Sequence, residues 1–105
     1  MKVSLIQMNS VSDKAANIAA ARALIERAIG EDGPDWILLP EQFDWAGGAR
    51  GDKAKNAETL PGGPAYAMAQ ELASKHGVFI HAGSIMEKIE GETRIHNTSN
   101  RKSVV

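Results

Sequence analysis

A chain of 105 residues, 43% of them hydrophobic and 24% charged, has material for one small globular domain and no more. Twelve basic against thirteen acidic residues leave a net charge of −1, which lacks the basic footprint of a nucleic-acid binder and argues against polyanionic partners. With no cysteine, disulfides, thiolate metal sites and a cysteine nucleophile are all excluded within these residues.

Lys2 to Met8 is rich in Val, Leu and Ile and reads as a first strand. Its apolar stretch is far shorter than a signal h-region or a membrane span, so the expectation is a soluble cytoplasmic protein that makes no membrane contact. Ser12 suits a helix N-cap, and Asp13 places negative charge in the first turn, where the helix dipole favours it. Ile18, Ala21, Ile25 and Ala28 recur at spacings of three and four, with Lys14, Arg22 and Glu26 on the other side. The spacing predicts an amphipathic helix of about four turns. Gly30 reads as its stop, and Asp32-Gly33-Pro34 as a turn.

Trp36-Ile37-Leu38-Leu39 is too short for a helix and has no polar alternation, as expected of a parallel strand covered on both faces. Pro40 ends it, because proline has no N–H to give a central ladder. Glu41 therefore falls just past the carboxyl end of a strand, where open α/β sheets bind their ligands. A glycine-rich stretch with no apolar period runs from there to Asn56 and reads as a long functional loop, with Phe43 and Trp45 near its start. Pro64 suits the first turn of a second helix, whose stripe is Ala65, Met68 and Leu72 and which Gly77 ends. Val78 to Glu87 reads as one extended strand, Glu90-Gly91-Glu92 as a hairpin tip, and Thr93 to Thr98 as an antiparallel return strand. Ser103-Val104-Val105 looks like the middle of a further strand. The order strand, helix, strand, helix, strand predicts a parallel sheet with right-handed crossovers.

Glu41 is the leading candidate for chemistry: a carboxylate at a strand end, beside an aromatic loop that excludes water, is suited to general base work. Phe43 and Trp45 either line a pocket for substrate or anchor the loop. Trp36 and Met68 read as core. Gly48 to Lys53 lacks the spacing of a phosphate-binding loop, and Arg50-Gly51-Asp52 and the sequon Asn97-Thr98-Ser99 are inert without a secretory leader. His76, His81 and His96 share no helical ligand spacing, so no metal site is expected.

In order, these features resemble the N-terminal portion of the nitrilase superfamily of carbon–nitrogen hydrolases, in its amidase-like branch. The matching residues are Val3 to Met8, Asn17, Asp35 to Glu41, Glu58, Gly63-Pro64, Leu72-Ala73, Ala82 to Ile85 and Asn97-Thr98. The resemblance implies an α/β fold, a partial α-β-β-α sandwich of the nitrilase type with a mixed sheet and two helices on one face. Residues 1–105 would form the N-terminal part of a single hydrolase domain. It also implies cleavage of small linear amides, or of nitriles, by a Cys, Glu and Lys set without a cofactor. Glu41 matches the family's general base and acid, whereas the Cys and Lys fall further along than this chain reaches. Arg101-Lys102 sits too early to supply that Lys, and Lys102 reads as a solvated turn residue. The implied partners are an amide substrate and further copies of the chain. A non-catalytic binding module, using an exposed sheet and the glycine-rich loop, is the rival reading. On either view the 105 residues alone are expected to be inactive, and marginal or associating.

Overall fold

The computed structural model describes residues 1–49 and 51–99, together with the backbone of Arg101 and Lys102. The strand read at Ser103-Val104-Val105 and the arginine of Arg50-Gly51-Asp52 lie outside the described residues.

The elements are β1 (Val3–Leu5), α1 (Lys14–Asp32), β2 (Trp36–Leu38), α2 (Asp52–Asn56), α3 (Pro64–His76), β3 (Phe79–His81), β4 (Ile85–Lys88), β5 (Ile95–Thr98) and β6 (Arg101–Lys102). One sheet has the order β1-β2-β3-β6, and β4 and β5 form a separate hairpin. β1, β2 and β3 run parallel, as expected, and β6 returns antiparallel against β3, which makes the sheet mixed. Lys102 therefore has strand backbone, paired with Ile80, rather than the turn expected of it.

Registry explains which face is covered. Ser4, Ile37 and Ile80 lie in one row, and Ile37 and Ile80 are fully buried in the cluster formed with Ala21 and Ile25 of α1 and Met68, Ala69 and Leu72 of α3. The neighbouring row, Val3, Trp36 and Phe79, points the other way. Val3 is 46% exposed there and Phe79 36%, with the Trp36 and Phe79 rings 5.9 Å apart. β2 is thus covered on one face only, and Trp36 is half-buried rather than core, whereas Met68 is core as read.

The helix ends differ from the sequence reading for local reasons. Asp13, not Ser12, caps α1, its side chain accepting the Ala16 N–H. Gly30 stays inside the helix, and the stop is Gly33, whose left-handed backbone (φ 56°) lets its N–H reach the Ile29 carbonyl. Pro64 and Gly77 bound α3 as expected. The long loop contains the unforeseen short helix α2. The run from Val78 to Glu87 is broken at Gly83 (φ 60°), so β3 and β4 fall in different sheets. Among the described residues no helix is long and apolar enough to cross a membrane.

Candidate functional site

β2 delivers the chain to Leu39, whose N–H bonds the His81 carbonyl, and then to Pro40 and a tight turn over residues 41–44. Gln42 has φ 50°, a left-handed conformation that ordinary residues adopt only where their surroundings enforce it. Three groups of contacts enforce it here. The Gln42 N–H donates to Ser84 Oγ at 2.8 Å. Gly83 lies so close under the Leu39 and Pro40 carbonyls that a Cβ at that position would collide with them. Beyond the turn, Phe43 and Trp45 are buried, at 0% and 2% exposure. Between the pocket and anchor alternatives for these rings, such burial favours loop anchors.

Glu41 itself is exposed, and its Oε1 accepts a hydrogen bond of 2.6 Å from Asn97 Nδ2 on β5. It borders an open groove of about 360 Å³ shared with Met8, Ser10, Pro40, Gln42 and Ala46. A larger groove of about 520 Å³ lies along α1 beside Pro64, far from this turn in the chain. Its charged groups, Arg22 and Glu26, belong to a surface ion-pair set with Glu71. That groove offers no reactive group.

The turn is held from beneath by polar groups that sequence reading left unassigned. Asn17, buried on α1, accepts the Val11 N–H at Oδ1 and donates from Nδ2 to the carbonyls of Val11 and Asp44. Ser10 Oγ donates to the Phe43 carbonyl at 2.7 Å, and the Ala46 N–H to the Val11 carbonyl at 3.1 Å. Lys14, read as an outward residue, instead reaches inward: its Nζ is 3.0 Å from Asp44 Oδ2 and 2.8 Å from Glu58 Oε2. A cation at the first position of a helix opposes the dipole, and that mismatch was the signal of a carboxylate partner.

Glu58 has a second task. α3 begins with Gly63, which has no capping side chain, and Pro64, which has no N–H. The Glu58 carboxylate accepts the next two N–H groups, of Ala65 at 2.7 Å and Tyr66 at 3.1 Å, as a cap side chain normally would. A Cβ on Gly63 (φ 91°) would collide with the Glu58 side chain, so only glycine fits. Asp44 is less well served: among the described residues Oδ1 has no partner, and burial pushes its carboxyl above the usual range against the opposing pull of Lys14.

The histidines do not converge. His81 Nε2 is 2.8 Å from Ser99 Oγ, and His96 Nε2 is 3.3 Å from Glu92 Oε1. Among the described residues no three His, Cys, Asp or Glu side chains gather as metal ligands. Asn97, set aside as an inert sequon, is the residue that reaches Glu41. Its contact spans 56 positions, and no local pattern announces it.

The sequence profile of the carbon-nitrogen hydrolase family matches residues 2–101. The chain belongs to the carbon–nitrogen hydrolase family. A curated relative of this carbon–nitrogen hydrolase chain is the nitrilase and fragile histidine triad fusion protein NitFhit of Drosophila melanogaster, 33% identical over 86 residues. Those residues are 82% of this chain and 18% of the relative. Among solved structures, Nit3 of Saccharomyces cerevisiae, a member of branch 10 of the nitrilase superfamily, superposes with a TM-score of 0.84 at 30% identity. The match covers 98% of this chain and 40% of Nit3. XC1258 of Xanthomonas campestris, a CN-hydrolase superfamily protein with an arsenic adduct in its active site, gives 0.79 at 28% identity, over 98% of this chain and 36% of that one. The fold is that of the nitrilase superfamily, and the chain spans well under half the length of each of these relatives.

Proposed function

We propose that these residues form the N-terminal part of a single carbon–nitrogen hydrolase domain that cleaves small linear amides, with Glu41 as its general base and acid. The observation that carries the reading is the setting of Glu41. It follows a parallel strand, stands in a strained turn anchored by buried rings, and reaches an open groove with one carboxylate oxygen held. A carboxylate so placed is fitted to move protons.

In the proposed reaction a cysteine thiol supplied from beyond these residues loses its proton to Glu41 as sulfur bonds to the amide carbon. A lysine, also from beyond them, stabilises the negative charge that develops on oxygen. Glu41 then returns the proton to the departing amine as the C–N bond breaks, leaving a thioester. Water attacks that thioester, giving its proton to Glu41, and the C–S bond breaks as Glu41 passes that proton to sulfur, releasing the acid and the thiol. Phe43 and Trp45 act in this account by fixing the loop beneath the site.

The uncovered sheet face, with Leu5 77% exposed beside Val3 and Phe79, fits the same account. In a complete α-β-β-α sandwich a second sheet packs on such a face. It is also the observation that favours the rival, a binding module whose partner lies on the sheet. Assay of the full-length protein against a panel of short linear amides separates the two. Ammonia release that stops on thiol alkylation is expected. Binding to a protein partner with no turnover of any amide would overturn the enzymatic reading.

A further inference from the structure

Two successive residues of the turn are each gripped by the same hairpin. Ser84, just before β4, takes the Gln42 N–H, and Asn97 on β5 holds the Glu41 carboxylate. The hairpin is itself locked in place. Asn97 pairs with Met86, which is buried, and the Met86 carbonyl accepts the Glu58 N–H at 2.9 Å while the Lys88 N–H donates to the Glu58 carbonyl at 2.7 Å. Thr98 adds a bond of 2.7 Å from its Oγ1 to Glu87 Oε1. Asn97 is therefore presented by a strand with little freedom to move, and a side-chain amide donates to a carboxylate without competing for its proton.

We propose that Asn97 is a positioning residue for Glu41: its Nδ2 holds Oε1, fixes the plane of the carboxylate and leaves Oε2 as the atom that takes and returns the proton. This inference rests on the reading of Glu41 as the general base. In its absence the glutamate side chain has three rotatable bonds on an exposed turn and samples many orientations, of which few align with a reacting group. An N–H donor pairs better with an ionised carboxylate than with a neutral carboxyl, which gives the test a readout beyond alignment.

The test uses the full-length enzyme with Asn97→Ala, Asn97→Asp and Thr98→Val, alongside Glu41→Gln. Asn97→Ala is expected to lower kcat roughly 10- to 100-fold with little change in KM, because the loss is one of alignment rather than of substrate contacts. The acidic limb of its pH–rate profile should move to higher pH. Asn97→Asp keeps the shape and sets a second carboxylate against Glu41, so its limb should move further, by about one pH unit or more. Thr98→Val removes a hydrogen bond from the same strand without touching Glu41 and should leave the limb where it was. If the unaltered enzyme turns over amides and Glu41→Gln does not, yet both Asn97 variants keep the parent kcat and limb, the positioning role is overturned while the general-base reading stands. The same holds if all three strand variants lose activity with unmoved limbs, since Asn97 would then be structural. If Glu41→Gln retains full turnover, the general-base reading fails and the positioning role with it.

Discussion

Replacing Lys14 by Met should destabilise the protein by an amount that depends on pH in a defined way. The ammonium serves two buried carboxylates, Asp44 and Glu58, whose side chains are 0% and 2% exposed. Glu58 retains the Ala65 and Tyr66 N–H donors after the change. Asp44 loses its cation and already has one unpaired oxygen. Its cheapest escape is to take a proton, which at pH 7 costs about 4 kcal/mol for a carboxyl with an ordinary value of 3.8, an upper bound on the loss because burial already raises Asp44 in the parent. That agrees with the roughly 3–5 kcal/mol usually lost when one partner of a buried pair is removed. At pH 5 the same protonation costs only about 1.5–2 kcal/mol, so the damage should shrink as pH falls. Urea unfolding of the full-length protein and of Lys14→Met at the two pH values measures both quantities. Adding Asp44→Asn to Lys14→Met should restore much of the loss at pH 7. A Lys14→Met penalty below about 1 kcal/mol, or one equal at both pH values, would refute the assignment of this cluster as a buried charge clamp.

Three further outcomes follow from the same geometry. Asp44→Asn alone should be milder than Lys14→Met. Burial raises the folded value of Asp44 above 3.8, so its contribution is most favourable below that pH and is lost as pH rises through the folded value; the substitution should therefore flatten the stability profile from about pH 4 upward, measured as urea midpoint against pH. Gly83→Ala forces a side chain onto a backbone at φ 60° and into the Leu39 and Pro40 carbonyls, and should cost at least about 2 kcal/mol and lower kcat by shifting Glu41; full stability with unchanged kcat would contradict the close approach. Trp45→Ala should cost about 3–5 kcal/mol in thermal or urea unfolding, since the ring is 2% exposed, whereas a loss under 1 kcal/mol would mean that the ring is not an anchor.

The parts of the fold that could be read in the sequence are those governed by neighbours in the chain. Ile37 to Glu41 announces a strand and its end, Pro64 and Gly77 bracket α3, and the spacing of Ala21, Ile25 and Ala28 marks the buried side of α1. The break at Gly83 was hidden because Val78 to Glu87 contains no proline and only one glycine, and the need for that glycine comes from Leu39 and Pro40, distant in sequence. Of the Lys14, Asp44 and Glu58 cluster only Lys14 carried a local hint, a cation at a helix start; its two partners are ordinary charged residues until the fold brings the three together. At Gly63 only the structure reveals that the glycine makes room for a carboxylate capping α3. Around the candidate site the balance is the same: the strand before Glu41 marks it as a candidate, whereas its tie to Asn97 is visible only as a contact across the fold.

Turnover by Glu41→Gln in the full-length enzyme bears most directly on the proposed function. The amide keeps the size of the side chain and removes its ability to accept a proton, so kcat for amide hydrolysis should fall by about 10²–10⁴-fold or more, with folded stability close to that of the parent. Hydrolysis at the parent rate by a properly folded Glu41→Gln enzyme would show that the carboxylate at the end of β2 is not the base.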